Sequence, residues 1–175
     1  LLDSMGTGQA DVVESYAIPL PVRVIARLLG IPGEDYQRLK HWSDMLLTQN
    51  FDLTAIEEQR KSNQDMVEYF GKMVAARRSQ SSQASEDLIS ALVEAEVDGE
   101  LLAEWEILGF CVLLLVAGNE TTTNLMGNIL NILVERPDLW QQLREDRSLV
   151  EAVIEETLRY ESPVQRLLRF TTRDV

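Results

Sequence analysis

I-L-G-F-C-V-L-L-L-V-A-G-N-E-T-T-T-N-L-M-G-N-I-L-N-I, Ile107 to Ile132, is the stretch whose reading decides the fold. Its apolar run to Val116 is too short to span a bilayer and suits a buried core helix. Ala117-Gly118 then removes side-chain bulk, and Asn119-Glu120-Thr121-Thr122-Thr123 places polar groups where a core helix stays apolar. Leu125, Met126, Ile129, Leu130, Ile132 and Leu133 restore a helical apolar stripe. A glycine within a helix costs about 1 kcal/mol against alanine, so Gly118 needs a compensating reason. A flat ligand against the bare backbone is one, with the Thr121 hydroxyl turned onto the Ala117 carbonyl to open a local bulge. Gly118 ending one helix with Asn119 capping the next is another. A third is that Gly118 admits a crossing helix.

Working outward, the segment before this stretch has a turn at Asp98-Gly99 and a short helical pattern from Asp87 to Glu96. Ser79–Ser85 is a polar connector, and the pattern from Ala55 to Arg77 is a long helix with Ile56, Asn63, Met66, Val67, Phe70 and Val74 along its inner stripe. A loop over Asn50–Thr54 separates it from a helix over Gly33–Leu47. P-L-P-V-R-V-I-A-R-L-L-G-I-P, Pro19 to Pro32, is a helix stopped by Gly30 and Pro32, and Leu1–Gly8 reads as a frayed helix end and a glycine turn. On the other side, Arg136-Pro137 breaks the chain into a short helix through Leu143, and a further helix runs from Ser148 to Tyr160. From Ser162 the pattern suits a strand.

The 175 residues suffice for one domain with a real core. A formal charge of −13 argues against a nucleic-acid or anionic-membrane partner. No signal peptide or transmembrane segment is expected, and the start without methionine reads as a piece of a longer protein. A single cysteine, Cys111, and a single histidine, His41, offer no disulfide framework or metal-ligand set within the chain. Cys111 reads as a small hydrophobe and His41 as a surface or packing residue.

Ala117-Gly118-Asn119-Glu120-Thr121-Thr122 resembles the A/G-G-x-D/E-T-T signature in the central helix of cytochrome P450 haem-thiolate monooxygenases. Pro19–Pro32 and E-E-T-L-R-Y-E-S-P-V-Q, Glu155 to Gln165, resemble the soluble bacterial-type members, in the expected order. The likeness covers essentially the whole chain, residues 1–175, as the central part of one incomplete domain. It implies a mainly α fold with a short β segment at the C-terminal end.

Several roles follow from this resemblance alone. Ala117 and Gly118 would lie over the haem, while Glu120 and Thr121 would handle protons for dioxygen. Arg169 would bind a haem propionate; Val164, Gln165, Leu167 and Leu168 would line the substrate pocket. Glu156 and Arg159 would form a buried structural pair behind the haem. Glu57-Glu58-Gln59-Arg60 also matches E-x-x-R but lacks the following segment. The iron's thiolate would come from a cysteine loop outside this chain. Cys111 lies ten residues before Thr121, about 15 Å along the helix, and on the wrong side of the haem.

The implied activity inserts one atom of dioxygen into a hydrophobic small molecule such as a fatty acid, terpenoid or steroid. Electrons would come from a ferredoxin or flavodoxin, in the cytoplasm. The chain alone would be inactive. Two other readings stay open: a non-enzymatic helical module that binds an apolar ligand or partner helix, and a family member that has lost its haem.

Overall fold

A computed structural model describes residues 1–47, 52–79 and 86–173. Of the loop expected at Asn50–Thr54, Asn50 and Phe51 lie outside them while Leu53 and Thr54 are already helical, and the connector expected at Ser79–Ser85 lies outside them but for Ser79. Seven α-helices are found among the described residues: α1 Pro19–Leu28, α2 Tyr36–Leu47, α3 Leu53–Ser79, α4 Leu88–Glu94, α5 Glu104–Glu135, α6 Pro137–Glu145 and α7 Val150–Tyr160. One small antiparallel hairpin joins β1, Glu96–Val97, to β2, Glu100–Leu101. The mainly α class inferred from sequence is therefore observed. Two compact units result, Leu1–Glu120 and Thr121–Val175, with the boundary inside α5.

The first unit is built around α1 to α4 and the first half of α5. Leu29, Leu39, Trp42, Phe70, Val74, Ile89, Ile107, Cys111 and Leu115 are fully buried there. Trp42 packs on Tyr69 and Phe70 with ring centroids 5.2 and 5.8 Å away. Its indole Nε1 donates to Asp65 Oδ2 at 3.1 Å, so a buried donor is satisfied at the core edge. The Arg38 guanidinium lies over the Trp42 and Tyr69 rings at 5.0 and 4.9 Å and forks onto the same Asp65 carboxylate.

Arg38, then Trp42, hold the Asp65 carboxyl below its ordinary range. A depressed folded pKa contributes stability above the unfolded value of about 3.9 and loses it as pH falls through the folded value. Replacing Asp65 by asparagine is expected to flatten that acid limb in urea unfolding followed between pH 5 and 2, with a small magnitude because the pair is half exposed.

Two local features depart from the sequence reading. Val13–Ala17 is a π-helical turn, with Ile18 N–H donating to Val13 O at 2.9 Å. Pro19 explains it: proline has no N–H and its ring crowds the carbonyl four residues back, which a wider turn relieves. The other is the expected C-terminal strand. No described residue from Ser162 to Arg173 is paired in a sheet. An extended segment becomes a strand only beside a partner ladder. The β pairing lies instead at Asp98-Gly99, where positive φ at both residues (54° and 83°) makes the tight turn.

By length and composition α5 could cross a membrane, contrary to the expected absence of any such segment. The sequence reading ended the run at Val116, whereas the helix continues to Glu135. A core helix satisfies the same test, and the row Ile107, Cys111, Leu115 is packed inside the first unit.

In the second unit, Pro137 opens α6 immediately after α5 ends. Asp146 caps the turn before α7 through Ser148 N–H at 2.9 Å. Asn128 on α5 donates to the Glu161 carbonyl at 2.7 Å, closing the C-terminal end of α7.

Candidate functional site

The hairpin delivers the chain into α5, and Glu106 accepts from the Ala103 N–H at 2.8 Å, reaching back over the helix start. From there α5 is one continuous α-helix through Gly118. Neither a helix end at Gly118 nor a bulge at Thr121 is found. A Cβ added to Gly118 would lie 3.1 Å from Ile25 Cδ1 of α1, so the glycine admits a crossing helix. The open backbone at this point is occupied by protein rather than offered to a flat ligand.

The neighbouring residues divide sharply. Asn119 is buried, and its Nδ2 donates to Ser43 Oγ of α2 at 2.6 Å. Phe110, Leu113, Ala117 and Glu120 are exposed, with Leu113 62% accessible. At 3.6 residues per turn, Phe110, Leu113, Ala117 and Glu120 share one side of the helix, away from the Ile107-Cys111-Leu115-Asn119 row. α5 thus presents an apolar stripe that ends in a carboxylate. Thr121 follows on the same helix and is half-buried.

The other proposed site residues lie in the second unit. Glu156 and Arg159 form a two-pronged pair at 2.8 and 2.6 Å, with side chains 62% and 68% exposed. Arg159 holds the Glu156 carboxyl below its ordinary range. The burial implied by the resemblance is therefore not found here. The pair is solvated like its sequence double, Glu57–Arg60, whose bonds are 2.9 and 2.8 Å. Glu156 does border a groove of about 660 Å³ between α5, α6 and α7, lined by Ile132, Leu139, Val153 and Tyr160. Val164, Gln165, Leu167, Leu168 and Arg169 are all exposed, as is Phe170 at 93%.

These residues fit a haem in part. Ala117 gives α5 an open, low-relief surface, and Arg169 is an exposed guanidinium suited to a carboxylate. Axial ligation does not fit. Cys111 is fully buried among core side chains, and burial pushes its thiol up to about 12, so no thiolate is presented. Cys111 is expected to resist iodoacetamide in the folded protein and to react on unfolding in urea, read by mass spectrometry. The sequence pointed to α5 but missed Ser43 and Ile25, which meet Asn119 and Gly118 only through tertiary contact.

Residues 34–175 match the family model for cytochrome P450. Cytochrome P450 109 of Bacillus spizizenii is 43% identical over 94% of the chain and 41% of its own length. Vitamin D(3) 25-hydroxylase of Pseudonocardia autotrophica is 36% identical over 96% of the chain and 40% of its own length. Among solved structures, CYP109Q5 of Chondromyces apiculatus superposes with a TM-score of 0.87 at 40% identity, over 99% of this chain and 42% of that one. CYP109E1 of Bacillus megaterium in complex with corticosterone gives 0.83 at 38% identity, over 94% and 44%. The chain spans well under half the length of these relatives. A family match over most of its residues, joined to likeness at this level of identity, makes the chain a member of the cytochrome P450 family.

Proposed function

We propose that the chain is the central part of a haem-dependent monooxygenase, its two compact units belonging to one family domain. The observation that carries this reading is the open stripe on α5, where Phe110, Leu113 and Ala117 end at Glu120 while Gly118 and Asn119 turn into the core. When bound, haem supplies one-atom oxygen transfer from dioxygen. The exposed Ala117 would give its flat face a low-relief surface beside the inward-turned Gly118, and Arg169 would pair with a propionate through a planar fork. A cysteine outside this chain provides the thiolate.

Glu120 would relay protons at the open face, and the Thr121 hydroxyl would donate a hydrogen bond there. Val164, Gln165, Leu167 and Leu168 turn their exposed side chains to a hydrophobic small molecule. Relatives named for vitamin D and erythromycin hydroxylation, and a structure holding corticosterone, support a bulky polycyclic or macrocyclic substrate class. A ferredoxin or flavodoxin supplies electrons in the cytoplasm. The solvated Glu156–Arg159 pair becomes an internal fold-specifying pair when further family elements cover the groove beside α7.

A non-enzymatic helical module that binds an apolar ligand or partner helix is the second reading, favoured by the contact of Gly118 with Ile25. The absorption spectrum of the full-length, haem-reconstituted protein, reduced under carbon monoxide, separates the two. A Soret band moved far to the red supports the monooxygenase. No haem band leaves the helical module.

A further inference from the structure

The inward row of α5 repeats every four residues: Ile107, Cys111 and Leu115 are apolar and fully buried, and Asn119 closes it. Asn119 Nδ2 reaches Ser43 Oγ at 2.6 Å, and Ser43 is itself fully buried on α2. Asn119 Oδ1 has no hydrogen-bond partner. Turning the amide over exchanges the roles of its two ends but still leaves one without a partner. A buried polar pair that is only partly satisfied is a poor source of stability, and two apolar groups of the same shape would do as well or better.

What the apolar row cannot supply is register. Sliding α5 by one turn places one apolar side chain where another stood, opposed within the row only by differences in size. Asn119 meeting Ser43 separates the correct register from that alternative, as a single buried asparagine does between coiled-coil helices. The preceding residue adds a second tie, since Gly118 lets Ile25 of α1 approach to where a Cβ would be 3.1 Å away. With about 100° between successive residues, Ala117 projects about 160° from Asn119, and Glu120 about 100°.

We propose that Asn119, through its bond to Ser43, is a positioning residue that fixes the register and rotation of α5 and so aims Ala117 and Glu120. The consequence for catalysis rests on the monooxygenase reading; the register claim does not. The test compares the full-length protein with Ser43→Ala, Asn119→Leu and the double variant, which removes both polar groups together. Three readouts are taken: the urea midpoint, amide hydrogen exchange, and imidazole affinity of the ferric haem.

In the double variant the midpoint is expected to hold or rise. Protection of the amides of residues 112–124 should fall about ten-fold with the rest of the first unit unaffected, and imidazole affinity should change by a similar factor. A lowered midpoint with exchange raised throughout the unit would make the pair an ordinary stabilising contact and overturn the proposal. Unchanged local exchange and unchanged imidazole affinity would also overturn it. Should the parent protein take up no haem, the monooxygenase reading fails while the exchange data still decide the register claim.

Discussion

Replacing Asp87 by alanine is expected to lower the unfolding free energy by about 3 kcal/mol, measured by urea denaturation. Three connections meet at this one carboxylate, whose side chain is only 4% exposed. Its Oδ1 accepts from the Ser90 N–H at 2.8 Å and caps α4, a bond worth about 1 kcal/mol. Its Oδ2 accepts from Arg77 Nε at 3.0 Å, joining the end of α3 to α4. The third is steric: a Cβ on Gly30 would stand 2.6 Å from Oδ2, so Asp87 occupies the space that the glycine leaves after α1.

Breaking a buried pair by removing one partner typically costs 3–5 kcal/mol, and the partial exposure of Arg77 puts this case at the lower end. Asp87→Ser keeps an oxygen for the cap and should recover about 1 kcal/mol of the loss. Gly30→Ala should be damaging too, because φ there is 71° and the carboxylate cannot swing away without giving up Arg77 and Ser90. A loss below about 1 kcal/mol for Asp87→Ala would mean that solvent replaces these bonds and the junction is not a latch.

Helix existence was legible wherever the apolar spacing was long. Of the stripe expected on α3, Met66, Phe70 and Val74 are buried while Ile56 and Val67 are exposed. The apolar run of α5, read as a buried core helix, buries Ile107, Cys111 and Leu115 but exposes Phe110 and Leu113. Gly30 was legible as a stop. Its second role was not, since Asp87 is 57 residues away in sequence and nothing local joins the two. The tail after Ser162 shows the complementary failure. Its β-prone residues describe a chain that can pair, but pairing belongs to the partner ladder, which local pattern does not contain.

For the candidate site, the sequence located α5 and offered three accounts of Gly118. Only tertiary structure could choose among them, because a crossing helix and a bound ligand demand the same missing side chain. Ile25 decides for the crossing helix. The two E-x-x-R motifs make the same point differently. Glu57–Arg60 and Glu156–Arg159 have nearly the same bond lengths and similar solvation, so what distinguishes them is the sequence following the second, not the pair itself.

Glu120→Gln in the full-length, haem-loaded protein is expected to lower turnover by about 100-fold, on a substrate that the parent protein oxidises, while leaving binding of that substrate unchanged. Glutamine keeps the length and polarity of the side chain but has no ionisable carboxyl, so the change isolates proton handling from shape. Binding is expected to persist because the residues proposed to face the substrate, Val164, Gln165, Leu167 and Leu168, are untouched. Glu120→Asp retains the acid on a shorter arm and should restore most of the rate. Thr121→Val removes only the hydroxyl from a nearly isosteric side chain, and it should reduce product formed per reductant consumed more than it reduces reductant consumption. The two effects should be less than additive if carboxylate and hydroxyl serve the same proton path, since residues acting as a unit lose most of their contribution at the first deletion. Turnover of Glu120→Gln within about two-fold of the parent would show that protons reach the site by another route. Glu120 would then stand as the solvated polar end of an apolar stripe.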